Sequence, residues 1–252
     1  MVLSSCNKNL ETDKEQGLLP IPDKLVVLTF DDRSRGWFTF VAPLLQSYGF
    51  GATFFVTEGL GYKDDPEFWI PWDEVYQLHE MGFEIGNHIA THPDFRSLSV
   101  EGIIAEMEVI EQLCQANGIP IPTTLAYPGG GFGSKCIEAL DQKGYLFARC
   151  PTWAVGLYDP NQHHPYTIPK VGFMAPGTPL QDFIDFVEPA RDGKIAVLVF
   201  HGVPDYYPWV ITSPEDFAGY MEYLYNEGYT VIALRDLVKY VDPGRRPEPL
   251  FP

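Results

Sequence analysis

KLVVLTF, at residues 24–30, is a near-continuous apolar run that is followed at once by Asp31 and Asp32. A strand needs such a run when both of its faces are buried, whereas a strand with one face in water alternates apolar and polar residues. IAVLVF, at residues 195–200, is a second run of this kind and leads into His201. The two segments therefore indicate buried strands of a parallel sheet.

Helical patterns alternate with further short apolar runs along most of the chain, which is typical of an α/β fold. Residues 151–179 are rich in proline and glycine and are predicted to form a long functional loop. No internal repeat and no interdomain linker is visible, so we expect a single domain. Helices are predicted at 37–48, 72–81, 99–118, 134–143, 180–190 and 213–228, and further strands at 52–56, 83–86, 123–127, 145–149 and 229–234.

The composition indicates one sizeable core and excludes several classes of protein. Of the 252 residues, 45% are apolar, and the formal net charge is −17. A strongly acidic chain repels phosphate backbones, so nucleic acid is not expected as a partner. No apolar run approaches the ~20 residues of a transmembrane helix. The four cysteines show no CxxC spacing, which excludes a structural zinc finger.

The first residues leave two localisations open. Leu3-Ser4-Ser5-Cys6 resembles a bacterial lipobox, which would make Cys6 a lipid anchor and the protein a cell-envelope or secreted one. The basic and apolar regions of a signal peptide do not precede it, and a chance match would leave the protein cytoplasmic. The oligomeric state is not indicated by the sequence.

Polar residues follow four of the predicted strands at the point where each ends. Asp31 and Asp32 follow the first strand, and His88 follows the third, with His92 shortly after it. Tyr127-Pro128-Gly129 and His201 follow two later strands. Because the carboxyl ends of parallel strands meet on one face of a barrel, we expect these groups to gather in one site.

The spacing of the histidines predicts a metal site. His88 and His92 lie four positions apart, so both imidazoles can turn to the same side of a helical turn. With one carboxylate they make a three-ligand site that leaves positions open for water and substrate. Asp31 and Asp32 diverge as neighbours, so one can bind the metal while the other accepts a proton. Zinc, cobalt, nickel and iron all suit these donors.

Three short motifs carry a resemblance to a known family. They read Thr29-Phe30-Asp31-Asp32, His88-Ile89-Ala90-Thr91-His92 and Leu198-Val199-Phe200-His201. In this order they resemble the polysaccharide deacetylases with the NodB homology domain, carbohydrate esterase family 4. The resemblance covers residues 24–241 and implies a distorted (β/α)7-type barrel. It divides the chain into an N-terminal tail or tether (1–22), a NodB-like polysaccharide deacetylase domain (23–243) and a C-terminal tail (244–252).

The resemblance also implies a role for each motif residue. Asp31 corresponds to the catalytic base, and His201 to the general acid that protonates the leaving nitrogen or oxygen. Asp32, His88 and His92 correspond to the ligands of one divalent metal, for which zinc is the expected ion.

Two departures from the family pattern concern the support of the catalytic Asp and the oxyanion site. Ala126 stands where the family has the Arg that holds this Asp, so we expect Arg33 to take over, at a position usually occupied by Gly or Ser. Gly129 replaces a Tyr whose backbone N–H supports the oxyanion. A backbone donor survives any change of side chain, so Gly129 remains a catalytic candidate.

The fourth motif of the family is represented by Trp153 alone, and the partner of His201 is left open between Asp159 and His164. Candidate substrate contacts are Tyr127, Trp153 and Trp209, of which the exposed aromatic residues could stack on a sugar ring.

The expected function is a metal-dependent hydrolase that removes N- or O-linked acetyl groups from a carbohydrate. One alternative is an allantoinase-like hydrolase acting on C–N bonds of a small molecule, which would require a closed pocket. A second is a catalytically impaired carbohydrate-binding protein, which the missing Arg keeps open. Acetate release that depends on a metal and on Asp31 would separate the first function from the other two.

Overall fold

The computed structural model describes residues 17–149 and 154–247, which form a single α/β domain around a curled parallel sheet. The eight strands run in the order β5-β4-β3-β2-β1-β7-β6, with β8 paired to β1. They are β1 (Leu25–Phe30), β2 (Thr53–Val56), β3 (Glu84–Asn87), β4 (Thr124–Ala126), β5 (Phe147–Arg149), β6 (Gly172–Phe173), β7 (Ala196–Phe200) and β8 (Thr230–Ile232). This curled sheet confirms the predicted distorted barrel.

In the described part of the chain, six α-helices cover the outside of the sheet. They are α1 (Ala42–Tyr48), α2 (Trp72–Glu80), α3 (Val100–Ala116), α4 (Ser134–Lys143), α5 (Leu180–Val187) and α6 (Pro214–Asn226). Ser99 and Ser213 cap α3 and α6, each accepting a hydrogen bond from a backbone N–H of the first turn. Such caps satisfy donors that a helix start leaves unpaired. None of the helices in the described residues is long and apolar enough to span a membrane.

The predicted elements differ from the structure most clearly at 37–48 and at 151–179. The helical pattern at 37–48 begins with a π-helical turn, Trp37–Val41, before α1. The predicted loop at 151–179 contains the short strand β6, which pairs with Leu198 and Val199 of β7. Two residues are too short to produce any periodic signal, so the sequence could not reveal this strand.

Strand β1 is the centre of the sheet and explains why the opening apolar run is continuous. All six of its residues are buried. Its first half pairs with β8 and its second half with β2, while β7 lies along its other edge. On the helix side, Phe30 packs against Phe54 and Phe200, with ring centroids 5.1 and 5.6 Å apart.

A buried carboxylate joins three strands at the face opposite their carboxyl ends. Glu84 accepts hydrogen bonds from the hydroxyls of Thr53 and Thr124, both at 2.6 Å, and from the backbone N–H of Arg235 at 2.8 Å. Burial raises the pKa of Glu84, and these hydrogen bonds offset only part of the effect. The ionised form is therefore disfavoured in the folded state.

We expect Glu84→Gln to change the pH dependence of stability. Because the folded-state pKa of Glu84 is raised, its contribution to the free energy of unfolding is fully present below the unfolded-state pKa, about 4.3. This contribution is lost as the pH rises through the folded-state pKa. The free energy of unfolding of Glu84→Gln should therefore increase, relative to that of the unsubstituted protein, from pH 4 to pH 8. Denaturant titrations measure this difference, and Glu222→Gln, an exposed carboxylate on α6, is the matched control. A difference that is constant with pH would contradict the expectation.

Both ends of the described chain contact the barrel. The backbone N–H of Leu19 donates to the carbonyl of Lys239, and Arg246 pairs with Asp141 of α4 and reaches the hydroxyl of Tyr166. Residues 1–16, with the predicted lipid anchor Cys6, lie outside the described residues. The predicted boundaries at 22 and 243 stay predictions.

Candidate active site

The carboxyl ends of the strands surround a cleft of about 320 Å³. Its walls combine carboxylates, imidazoles, two cationic side chains, glycine backbone and apolar side chains. The lining residues are Asp31, Asp32, His88, His92, Tyr127, Gly129, Gly130, Arg149, Lys170, Val199, His201, Trp209 and Val210. The structure thus brings the predicted residues of four strand ends into one site.

Asp32, His88 and His92 form a cluster that can hold a metal ion, with one ligand atom from each within 4.8 Å of the others. The Nε2 atoms of His88 and His92 lie 3.3 and 3.5 Å from Oδ1 of Asp32. The Nδ1 atom of His88 lies 2.8 Å from the carbonyl of Ala126, which orients Nε2 towards the cluster. Such an outer hydrogen bond fixes the tautomer of a metal-binding imidazole.

The electrostatics of the cluster fit a divalent cation. Burial alone would raise the pKa of Asp32, but the imidazoles of His88 and His92 and the charge of His201 outweigh it and hold this pKa far below its usual range. Burial would lower the pKa of His88, but the charges of Asp31 and Asp32 raise it instead. Oδ1 of Asp32 is buried and has no hydrogen-bond partner among the described residues. An anionic oxygen between two imidazole nitrogens is a fitting donor set for a cation.

The loop that carries Asp32 has an unusual backbone. Asp32 and Arg33 adopt φ values of 78° and 58°, a left-handed conformation that non-glycine residues seldom occupy. The hydroxyl of Tyr62 donates to the carbonyl of Asp32. This contact from the loop after β2 therefore helps to hold the segment with the candidate ligand Asp32 in a conformation it would not otherwise prefer.

Arg33 does not hold Asp31, contrary to the expectation. Its guanidinium is buried between the rings of Trp69 and Trp72, 4.5 and 4.4 Å from their centroids. It pairs with Glu58, and its Nε donates to the carbonyl of Ile70 at 3.0 Å. The left-handed backbone at position 33 turns this side chain away from Asp31, so it anchors the ligand loop from outside.

The loop that carries the histidines is anchored on both sides. The carboxylate of Glu106 on α3 accepts hydrogen bonds from the backbone N–H and the hydroxyl of Thr91, at 2.7 and 2.8 Å. The side chain of Asn87 accepts from the N–H of Ile89 at 2.8 Å and donates to the hydroxyl of Tyr145 at 2.7 Å. These bonds fix the turn between the two imidazoles without a hydroxyl residue at position 89.

The support of Asp31 comes from Arg149, at the end of β5. The two side chains form a buried ion pair, and the guanidinium lies 4.8 Å from the ring centroid of Phe55. Arg149 was not among the predicted site residues, although its sequence context carries one signal. An arginine at the inner end of an otherwise apolar strand needs a buried anionic partner, because an unpaired charge is rarely buried.

His201 lies beside the metal cluster, with its Nε2 atom 3.7 Å from Oδ2 of Asp32. Its carbonyl accepts from the indole N–H of Trp37 at 2.9 Å. A second carboxylate on the same segment, Asp205, is buried and accepts from the backbone N–H groups of Gly202 and Tyr207. Burial raises the pKa of Asp205, and the neighbouring charge of His201 partly offsets this.

Neither predicted partner of His201 lines the cleft. Asp159 accepts hydrogen bonds from Asn161 and Gln162 within its own turn. His164 accepts from the backbone N–H of Tyr166, and burial lowers its pKa to about 4. The structure therefore does not bring these two residues into the cleft with His201, whose charge acts on Asp32 and Asp205.

The predicted oxyanion and substrate residues have different placements. Gly129 has a φ of 54° and lines the cleft, and its N–H meets no acceptor among the described residues. Tyr127 also lines the cleft, but its hydroxyl donates to the buried carbonyl of Tyr166 and is not available to a substrate. Trp209 lines the cleft with 65% of its surface exposed. Trp153 lies outside the described residues.

We expect Arg33→Gly to weaken Zn²⁺ binding by about 10- to 100-fold, the usual effect of losing the outer support of a metal ligand. Glycine adopts the left-handed conformation freely, so the backbone can form but is no longer fixed by the tryptophan pair. Titration calorimetry with Zn²⁺ measures the affinity. Lys63→Met is the control, because it removes another cation from Glu58 without touching the ligand loop. Unchanged Zn²⁺ affinity in Arg33→Gly would contradict this role.

The sequence, rather than the fold alone, assigns the chain to the polysaccharide deacetylases. The chain belongs to this family, because the sequence model of polysaccharide deacetylases matches residues 20–148. Its similarity to the peptidoglycan-N-acetylmuramic acid deacetylase PdaA of Bacillus subtilis is 27% identity, over 54% of this chain and 49% of that protein. The chain therefore spans about half the length of the curated relatives that it matches.

Solved structures support the same fold. A family 4 carbohydrate esterase from Bacillus anthracis has a TM-score of 0.55 at 23% identity, covering 88% of this chain and 86% of that one. The peptidoglycan deacetylase PdaC from Bacillus subtilis has a TM-score of 0.56 at 21% identity, covering 88% and 93%. A family 4 pseudoenzyme from Bacillus anthracis has a TM-score of 0.59 at 17% identity, covering 88% and 70%. At these identities the likeness concerns the fold alone.

Proposed function

We propose that the protein is a metal-dependent deacetylase that hydrolyses acetyl groups of a carbohydrate. The observation that carries the proposal is the cluster of Asp32, His88 and His92 beside an aspartate, Asp31, that is fixed by its own arginine. A carbohydrate-binding protein without catalytic function has no need for such a pair next to a cation site. Membership of the polysaccharide deacetylase family supports the substrate class.

Asp32, His88 and His92 would hold one divalent cation, and zinc is the ion we propose. When bound, the cation supplies Lewis-acid polarisation of the acetyl carbonyl and activation of water at neutral pH. The exposed part of His92 faces the cleft, where a substrate can approach.

The other residues of the cleft have distinct tasks in acetyl transfer to water. Asp31, oriented by Arg149, accepts the proton of the attacking water. The backbone N–H of Gly129 donates a hydrogen bond to the oxygen that becomes negatively charged. His201 then donates a proton to the departing nitrogen or oxygen of the sugar, so that the products are acetate and a free amine or hydroxyl.

The test is acetate release from a panel of N- and O-acetylated glycans, together with elemental analysis of the purified protein. We expect release to stop with a chelator, to return with Zn²⁺, and to fall at least about 100-fold in Asp31→Asn. Asp73→Asn, an exposed aspartate on α2, is the matched control and should keep full activity.

Two outcomes would contradict the proposal. Glycan binding that is indifferent to chelation and to Asp31→Asn, without acetate release, would indicate a binding protein. Chelator-sensitive hydrolysis of a cyclic amide, with no release from any glycan, would indicate a small-molecule C–N hydrolase instead.

A further inference from the structure

A second cavity lies on the outer side of the segment that carries Asp32. Its volume is about 460 Å³, which is larger than that of the catalytic cleft, about 320 Å³. It is formed by residues that follow β1, by the loop after β2 and by the start of α2. Its walls combine two indoles and two prolines with two guanidinium groups and three carboxylates. The two sites share no lining residue, so the proposed reaction gives this cavity no task.

One wall of the cavity already binds a cation that belongs to the protein itself. The guanidinium of Arg33 lies between the rings of Trp69 and Trp72 and pairs with the carboxylate of Glu58. The indole N–H of Trp72 donates to the same carboxylate at 3.0 Å. Aromatic faces attract cations through the quadrupole of the ring, and indole does so most strongly. The chemistry of this wall therefore suits a positively charged group.

Both arginines that line the cavity are engaged by the protein. Arg33 is paired with Glu58. Arg35 pairs with Glu74 at 3.0 Å and donates to the backbone carbonyl of Pro66. The Nε atom of Arg35 is buried, so a ligand in the cavity cannot reach it. An anionic ligand would therefore have to replace interactions that the two guanidinium groups already make.

Two carboxylates of the cavity lack a partner of opposite charge. Asp64 and Asp65 form no ion pair with any residue in the described part of the chain, and Asp64 is exposed. Oδ1 of Asp65 accepts the backbone N–H of Glu67 at 2.9 Å, which fixes this side chain. With two arginines against three carboxylates, the lining carries a net charge of −1, and the whole chain carries −17. Both charges favour a cationic ligand.

We propose that this cavity is a binding site for a small organic cation, with a guanidinium or ammonium head on an apolar stem. Asp64 and Asp65 bind the head, while the partly exposed indole of Trp72 and the two prolines pack against the stem. The volume of about 460 Å³ lies within the range of ligand pockets, about 300–1,000 Å³. The inference goes beyond the proposed function and does not depend on it. The rival site for such a cation is the catalytic cleft, which contains the carboxylate of Asp31.

The experiment compares two probes of the same shape that differ in charge. Protein with one equivalent of Zn²⁺ is titrated with n-butylguanidinium and with neutral n-butylurea, and ligand-observed NMR gives the dissociation constants. The titrations are repeated on Asp64→Asn, on Asp64→Asn combined with Asp65→Asn, and on Asp31→Asn. Asparagine keeps an oxygen that can accept the N–H of Glu67, so the loop should fold in each variant, and thermal unfolding checks this. Glu222→Gln, which alters an exposed carboxylate on α6, is the matched control.

We expect n-butylguanidinium to bind saturably and n-butylurea to bind at least about tenfold more weakly. The affinity for n-butylguanidinium should fall about threefold in Asp64→Asn and about tenfold in the double variant, which is the usual size of ion pairs at partly exposed sites. Asp31→Asn and Glu222→Gln should retain the full affinity, because neither residue lines the cavity.

Three results would overturn the site. The first is the absence of saturable n-butylguanidinium binding, or an equal affinity for n-butylurea. The second is an unchanged affinity for n-butylguanidinium in the double variant of Asp64 and Asp65. The third is a loss of binding in Asp31→Asn, which would assign the cation to the catalytic cleft. None of these results bears on acetate release, so the proposed function stands or falls separately.

Discussion

Arg149→Met is expected to lower kcat/KM for acetate release by about 100-fold or more, because a general base contributes about 10²–10⁴ and acts only when correctly placed. The guanidinium of Arg149 is the buried cation that pairs with Asp31. Methionine fills a similar volume but leaves the carboxylate unpaired, so that it can turn away from the attacking water. Steady-state kinetics on an acetylated glycan measure the effect.

Three comparisons distinguish this role from a loss of folding. Arg149→Lys keeps the charge without the planar fork and should recover part of the activity. Arg246→Met removes an arginine whose ion pair with Asp141 lies outside the cleft, and should leave kcat/KM unchanged. Zn²⁺ affinity should be retained in Arg149→Met, since Arg149 is not a ligand. Full activity in Arg149→Met would show that Asp31 needs no such support.

His92→Ala is expected to weaken Zn²⁺ binding by more than about 100-fold. The loss of an outer-sphere partner costs up to about 100-fold, and the loss of a ligand itself should cost more. The imidazole is 26% exposed, so its removal should change the melting temperature of the metal-free protein little. Zn²⁺ titration and elemental analysis after dialysis measure the first effect, and thermal unfolding measures the second. Activity should fall together with metal content.

The paired variants make this expectation specific. His88 is buried, so His88→Ala should lose Zn²⁺ binding and stability together. His79→Ala, on α2 and outside the cleft, is the control for the loss of an imidazole. Stoichiometric Zn²⁺ in dialysed His92→Ala would contradict the assignment of this cluster as the metal site.

Much of the fold could be predicted because its strands are buried on both faces. The runs that became β1 and β7 carry this signal without interruption, and α1 ends at Gly49 while α6 begins after Ser213. The convergence of the polar residues followed from parallel strands alone. The polysaccharide deacetylase family follows from the motifs, and the match over residues 20–148 confirms it.

The supports of the site were harder to predict, because they depend on partners that meet only in the folded barrel. Arg149 and Asp31 are separated by more than a hundred positions and come from strands that are not neighbours in the sheet. Arg33 is adjacent in sequence to the site, but the backbone turns it towards Trp69 and Trp72. Proximity along the chain therefore favoured the wrong arginine.

The prediction of substrate-contacting residues was limited in the same way, because the direction of a side chain is set only in the folded protein. Tyr127 follows β4 at the expected position, yet its hydroxyl is used by the carbonyl of Tyr166 inside the protein. Trp209 could equally have packed on the barrel, and only its exposure shows that it does not. A sequence indicates which residues reach a site but not which atoms they present there.

A left-handed backbone conformation occurs at four positions around the candidate metal site, Asp32, Arg33, Ile89 and His92. Each of these conformations costs about 1–2 kcal/mol for a residue with a side chain. A descendant that no longer binds a metal ion could relieve this strain through glycine or asparagine at the two of these positions that are not candidate ligands, Arg33 and Ile89. The residue types at these two positions would then indicate the loss of metal binding before the ligands themselves were replaced.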